Sequence, residues 1–148
     1  MSEQPTLPTL SGFVTTPDSG RALPLIGRVG MSGQQTGGAF EVIEYQGNAA
    51  CPPPHIHRQR EECFHVLDGR FTFTLGYEEV EATPGSWVFI PRGTRHGFTA
   101  TADARALILV VPAGLEDFFA ELGGGLANGS TSQELRASLK GRFDSIPA

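Results

Sequence analysis

Apolar and polar residues alternate along much of this chain in short runs rich in β-branched and aromatic side chains, and glycine or proline punctuates them. Alternation with a period of two is the signature of strands with one buried face. "ALPLIGRVG" (22–30) and "GAFEVIEYQG" (38–47) read as early strands on either side of a glycine-rich turn, "MSGQQTGG" (31–38). The residues up to about Gly20 mix turn and extended character. "EECFHVLDGRFTFTLG" (61–76) reads as a hairpin, because Asp68-Gly69 suits the positive φ angles of a two-residue type I′ turn. That turn predicts the cross-strand pairs Leu67 with Arg70, Val66 with Phe71, Phe64 with Phe73 and Glu62 with Leu75. One face then carries Glu62, Phe64, Val66, Phe71, Phe73 and Leu75, and the other Cys63, His65, Leu67, Arg70, Thr72 and Thr74. The first of these faces is apolar except for a single carboxylate.

Downstream, "GSWVFIPRGTRHGF" (85–98) predicts a strand, a turn at Pro91 and Gly93, and a strand beginning near His96. "RALILVV" (105–111) reads as a buried strand from its unbroken apolar run. The period then changes. "GLEDFFAELGGG" (114–125) spaces Leu115, Phe118, Phe119 and Leu122 as a helix does and ends on a glycine stop, and "GGGLANGS" (123–130) reads as a flexible hinge. A last helix is expected over about 132–141, where Thr131 and Glu134 suit a capping box. The expected architecture is an all-β sandwich or barrel followed by a short C-terminal helical tail at about 114–142.

At 148 residues the chain is expected to form one domain, 1–148, with a single sizeable core. A formal charge of −5 and a pI near 5.3 argue against nucleic acid or an anionic membrane as a partner. A small molecule or another protein is the expected partner. No stretch approaches the roughly 18 uninterrupted apolar residues of a membrane span, and "MSEQPTLPTL" lacks the pattern of a signal peptide, so a cytoplasmic location is expected. Cys51 and Cys63 are too few for a disulfide framework and are expected to stay reduced.

The candidate chemistry lies in "CPPPHIHRQREECFHVLDG" (51–69). Pro52, Pro53 and Pro54 exclude a helix and hold the backbone extended. In an extended chain His55 and His57 project to the same side. Glu62 is on the inward face of the next strand, and an ionised carboxylate facing an apolar interior is costly unless it is paired or bound to a metal. His96 follows a separate turn. Together His55, His57, Glu62 and His96 make a ligand set for one divalent transition metal, with Fe, Ni, Mn, Co, Cu and Zn all admissible. Glu61 points away and is expected to be solvated. His65 lies on the opposite face, as a surface or interface histidine. Arg58 and Arg60 read as solvated loop charges or as attractors of an anionic substrate, Trp87 as a core or interface residue, and Arg92 and Arg95 are ambiguous.

These residues resemble the cupin family. "HIHRQREECFHVLDG" matches the first cupin motif at His55, His57, Glu62 and Gly69, and "GSWVFIPRGTRH" matches the second at Gly85, Pro91, Gly93 and His96. The chain departs from the pattern at Ala49, where the first motif's leading glycine would stand with Gly47 nearby, and at Ala100, where an asparagine often ends the second. Neither is a ligand position. The resemblance covers about residues 38–112 and implies a double-stranded β-helix, or jelly-roll barrel, with the four side chains holding a metal inside. "TGGAFEVIEYQG" and "PAGLEDFFAELG" further resemble small single-domain, quercetin-dioxygenase-like cupins, which implies a homodimer.

The function this suggests is a metal-dependent oxidoreductase of dioxygenase type, acting on a small aromatic or enol-bearing molecule. Phe64, Phe71 and Phe73, on the face of Glu62, would line the substrate pocket, and the resemblance to quercetinases implies Glu62 as a base. A non-oxidative isomerase, cyclase or lyase that polarises a carbonyl, or a binding module with a structural metal, would use the same ligands.

Overall fold

Period-two alternation produces strands through most of the computed structural model, which describes residues 10–47 and 50–148. The elements are β1 (Ala22–Leu23), β2 (Gly27–Met31), β3 (Glu41–Gln46), β4 (His55–Ile56), β5 (Glu61–Asp68), β6 (Phe71–Leu75), β7 (Glu78–Ala82), β8 (Trp87–Ile90), β9 (His96–Ala100), β10 (Arg105–Val111), α1 (Glu116–Ala127), α2 (Ser132–Leu139) and β11 (Ile146–Pro147). The first nine residues and Ala49 lie outside the described residues, and residues 10–20 contain no strand.

The strands form two antiparallel sheets, ordered β1-β2-β3-β10-β5-β8 and β11-β4-β9-β6-β7. Their inner faces enclose one core, with Ile43, Phe64, Val66, Ile108 and Val110 from the first sheet and Phe71, Phe73, Ala82 and Phe98 from the second. Burying one phenylalanine side chain contributes about 1.5–3 kcal/mol. This is a jelly roll with two short C-terminal helices, the expected fold class.

The predicted pairing of β5 with β6 is not formed. β5 is flanked by β10 and β8, whereas β6 is flanked by β9 and β7 in the other sheet. An Asp-Gly turn specifies only that the chain reverses, and Gly69, at φ 70°, carries it across the sandwich rather than back along a ladder. The predicted faces hold nevertheless, because side chains alternate whichever strand lies alongside. Phe64 and Phe73, expected as lateral neighbours, meet through the core with ring centroids 5.0 Å apart.

Three further expectations change. In β10 only Ala106, Ile108 and Val110 are buried, and Leu107 and Leu109 are half-buried on the outer face. Trp87 is not in the core. It is 71% exposed and stacks on His65 with centroids 3.8 Å apart. The glycine stop is absent, since α1 runs through Gly123, Gly124 and Gly125 to Ala127, and most of the expected hinge is helix. A Cβ on Gly123 would lie 2.0 Å from the Pro24 carbonyl oxygen, and one on Gly125 would meet Leu135 at 2.3 Å. These glycines permit close packing rather than ending the helix.

α2 begins as expected, with the Thr131 hydroxyl accepting from the Glu134 N–H at 3.1 Å. The start of α1 is held from a distance, because the buried Glu41 carboxylate accepts from Leu115 N at 2.6 Å and Glu116 N at 3.2 Å. After α2 the chain returns and adds β11 to the edge of β4, pairing Ile146 with Ile56 and Pro147 with His55. Among the described residues no helix is long and apolar enough to cross a membrane. Cys51 and Cys63 are free thiols.

Candidate metal centre

The three prolines lead into β4, and His55 pairs directly across the ladder with His96 on β9. The approach is close: Phe98 N donates to Pro52 O at 3.3 Å, and a Cβ on Gly97 would be 2.7 Å from that oxygen. His57 follows β4 on the same side as His55. Glu62, the second residue of β5, reaches the cluster from the opposing sheet. All four side chains are buried, with 2–6% of each residue exposed.

The three imidazoles each offer a ring nitrogen, and these atoms lie within 4.8 Å of one another. Each Nδ1 faces a main-chain carbonyl: His55 that of Pro53 at 3.0 Å, His57 that of Asp144, and His96 that of Thr94 at 2.8 Å. A carbonyl only accepts, so Nδ1 carries the proton and each neutral ring presents its Nε2 lone pair inward.

Glu62 Oε1 is 3.1 Å from His57 Nε2, and Oε2 is 3.4 Å from His96 Nε2. Despite these distances neither Nε2 has an aligned hydrogen-bond partner. The three ring nitrogens form one cluster, and the carboxylate oxygens lie beside two of them. Buried polar atoms without partners are uncommon and call for a cause, and a divalent transition metal in that cluster fits three neutral imidazoles and a carboxylate.

The electrostatics couple the carboxylate to the imidazoles. Burial would push Glu62 up, but the charge and contact of His57 and His96 outweigh it and hold the carboxyl well below its ordinary range. Burial opposes protonation of His57, and the Glu62 charge overcomes this and raises its pKa. His55 is driven well below the ordinary histidine value, first by burial and then by repulsion from His96 and His57. Glu62 is therefore an anion set against the imidazole cluster, where a divalent metal would take over the positive charge.

The cluster opens on a cavity of about 30 Å³, room for about two waters. Of the expected pocket residues only Phe64 lines it. Phe71 and Phe73 lie deeper in the core, stacked on each other at 5.7 Å and packed against Phe98. β6 is central in its sheet, and its inner face is covered by other aromatic rings. The remaining walls come from Tyr45, Phe98, Phe118, Phe119 and Arg136, among others.

Arg136 and Asp144 went unnoticed in the sequence. Arg136 shares the buried face of α2 with Leu139, three residues on, a spacing that was available as a signal. Asp144 clamps the loop after His57: its carboxylate accepts from Arg58 N at 2.7 Å, Gln59 N at 2.8 Å and Arg60 Nη1 at 3.2 Å. Arg60 also donates to Ala113 O and is structural rather than a solvated loop charge. Glu61 is paired with Arg92 at 2.6 Å instead of being free in solvent. Arg95 donates to Gly76 O and lies over Tyr77. His65 is on the outer face, with Nδ1 donating to Ser86 O at 3.3 Å, apart from the cluster.

Comparison with known proteins agrees with this architecture. Residues 41–112 match the family model described as a cupin domain. A 98-residue stretch, 65% of the chain, is 26% identical to quercetin 2,3-dioxygenase of Bacillus subtilis and spans 29% of that protein. The chain spans less than half the length of the curated relatives it matches. Among solved structures, a variant of Streptomyces PAC13 with uridine superposes with a TM-score of 0.56 at 17% identity, over 70% of this chain and 84% of that one. A Klebsiella pneumoniae protein with a double-stranded β-helix domain superposes with a TM-score of 0.51 at 16% identity, over 67% and 84%. Both likenesses concern the fold.

Proposed function

Residues 41–112 are a cupin domain, and on that premise we propose that the chain is a metal-dependent oxidoreductase of dioxygenase type acting on a small enol-bearing molecule. The observation that carries this reading is the pair of buried, unpartnered Nε2 atoms on His57 and His96, clustered with His55 and flanked by the Glu62 carboxylate. His55, His57, Glu62 and His96 are the proposed ligands. A divalent transition metal held there would supply Lewis acidity and, for Fe, Ni, Mn, Co or Cu, a centre for oxygen chemistry.

The protein's own part is positional and electrostatic. The Nδ1 contacts to three main-chain carbonyls fix the ring orientations before any ligand arrives. Phe64, Phe98, Phe118 and Phe119 give the cavity an apolar wall and favour an unsaturated substrate. Glu62 is also the base proposed for a substrate hydroxyl, a role for which its carboxylate must first leave the His57 and His96 contacts that hold its pKa down. The cavity volume of about 30 Å³ favours a small substrate over a flavonol. The similarity to quercetin 2,3-dioxygenase supports the oxidative class, and that protein's substrate is not carried over.

The test is oxygen uptake by protein loaded separately with Fe(II), Ni(II), Mn(II) and Zn(II), on a panel of β-diketones, catechols and flavonols. Uptake with a redox-active metal, fastest on the smallest enols, is the expected result. Conversion without oxygen uptake, equal with zinc, would replace the oxidative reading with a carbonyl-polarising isomerase or lyase.

A further inference from the structure

Arg136 is a buried cation that no carboxylate among the described residues contacts directly. Only 6% of the residue is exposed, and Nε donates to Ser132 Oγ at 3.0 Å within α2. Its guanidinium carbon lies 5.6 Å from the centre of the Phe118 ring, a contact with a ring face rather than with a charge. Among the described residues no carboxylate oxygen lies within 4.0 Å of it, although eight other arginines make such pairs or donate to main-chain oxygens. Among the described residues its two terminal nitrogens have no hydrogen-bond acceptor.

Burying an unpaired charge is costly, so its retention calls for a partner. Arg136 lines the same cavity as His55, His57, Glu62 and His96. Burial lowers its pKa only to about 10, and the Glu62 charge acts in the opposite direction, so it stays charged at neutral pH. A planar guanidinium whose Nη1–Nη2 edge is free suits a carboxylate, which it can grip with two parallel hydrogen bonds. The cavity of about 30 Å³ favours a small group.

We propose that Arg136 is the substrate-recognition residue of this cavity, and that the substrate carries a carboxylate which pairs with the Arg136 guanidinium while its reacting end faces His55, His57, Glu62 and His96. The proposal rests on the metal-site reading above and deepens it from a small enol-bearing molecule to a small oxo- or enol-carboxylate. It also accounts for the tail: α2 delivers Arg136 to the cavity, and β11 fastens the chain just beyond it to β4.

The test is calorimetric titration of anaerobic, zinc-loaded protein with pyruvate and with its uncharged analogue methyl pyruvate, with metal content measured on every sample. The wild type is expected to bind pyruvate about tenfold or more tightly than the ester. Arg136→Met should abolish that preference and Arg136→Lys should keep part of it, with metal content unchanged in both. No preference in the wild type, or an undiminished preference in Arg136→Met, would overturn the proposal. The wild-type comparison and Arg136→Lys decide the matter where Arg136→Met fails to fold. A wild type that takes up no metal yet keeps an Arg136-dependent preference would instead refute the metal reading and leave the anion site standing.

Discussion

The Nδ1–H of His57 donates to the main-chain carbonyl of Asp144, a residue 87 positions further along the chain. The metal-facing nitrogen of one proposed ligand is thus oriented by the returning C-terminal tail. Asp144 holds itself in place through its side chain, which spans the N–H groups of Arg58 and Gln59 and the Arg60 guanidinium. Asp144→Ala is expected to lower stability by about 2 kcal/mol and metal affinity by about tenfold or more, read by thermal melting and by competition with a chelator.

A pH dependence follows from the same clamp. Burial works against the Asp144 carboxylate, but the Arg58 and Gln59 N–H groups and Arg60 outweigh it and hold its pKa below the ordinary value of 3.8. A depressed folded value means that this stabilisation is present above 3.8 and is lost as pH falls through the lower, folded value. Metal-free wild type should therefore lose more stability than metal-free Asp144→Ala in this acid window, and parallel melting curves would contradict the assignment.

His65 separates the two faces of β5. It stacks on Trp87 at the surface and takes no part in the cluster. His65→Ala is expected to leave metal content at the wild-type level and to cost about 0.5–1.5 kcal/mol through the lost stacking. Loss of metal without unfolding would mean that the wrong face of β5 has been placed inward.

The glycines of α1 differ in their surroundings. Nothing lies within 4 Å of a Cβ placed on Gly124, so Gly124→Ala should raise stability by about 0.5–1 kcal/mol through helix propensity. On Gly123 the Cβ would collide with the Pro24 main chain, and Gly123→Ala should cost about 1–3 kcal/mol despite the same propensity gain. Denaturant midpoints of the two variants shifting in the same direction would contradict this account of why the helix carries three glycines.

The convergence of His55, His57, Glu62 and His96 was legible because it depends on short-range rules: prolines that hold a strand entry extended, and alternation that sends residues two apart to one side. The inward face of β5 was legible for the same reason. The neighbours of β5 were not, since Asp68-Gly69 announces a reversal without saying whether the next strand continues the sheet or crosses to the other one. Of the pocket reading only Phe64 lines the cavity in consequence. Facing the core is not the same as facing the cavity, and Phe71 and Phe73 are covered by Phe98. Arg136 and Asp144 reach the site only because the tail folds back and β11 joins β4, an association over about ninety residues with no local signature beyond the spacing of Arg136 and Leu139.

The measurement that tests the central claim most directly is elemental analysis of wild type and His57→Ala after chelator treatment and reloading with Fe(II), Ni(II) or Zn(II), with circular dichroism as the check on folding. The account predicts one tightly held divalent metal per chain in the wild type and loss of most of it in a folded His57→Ala. Equal metal content in the two proteins, or a wild type that retains none, would contradict it.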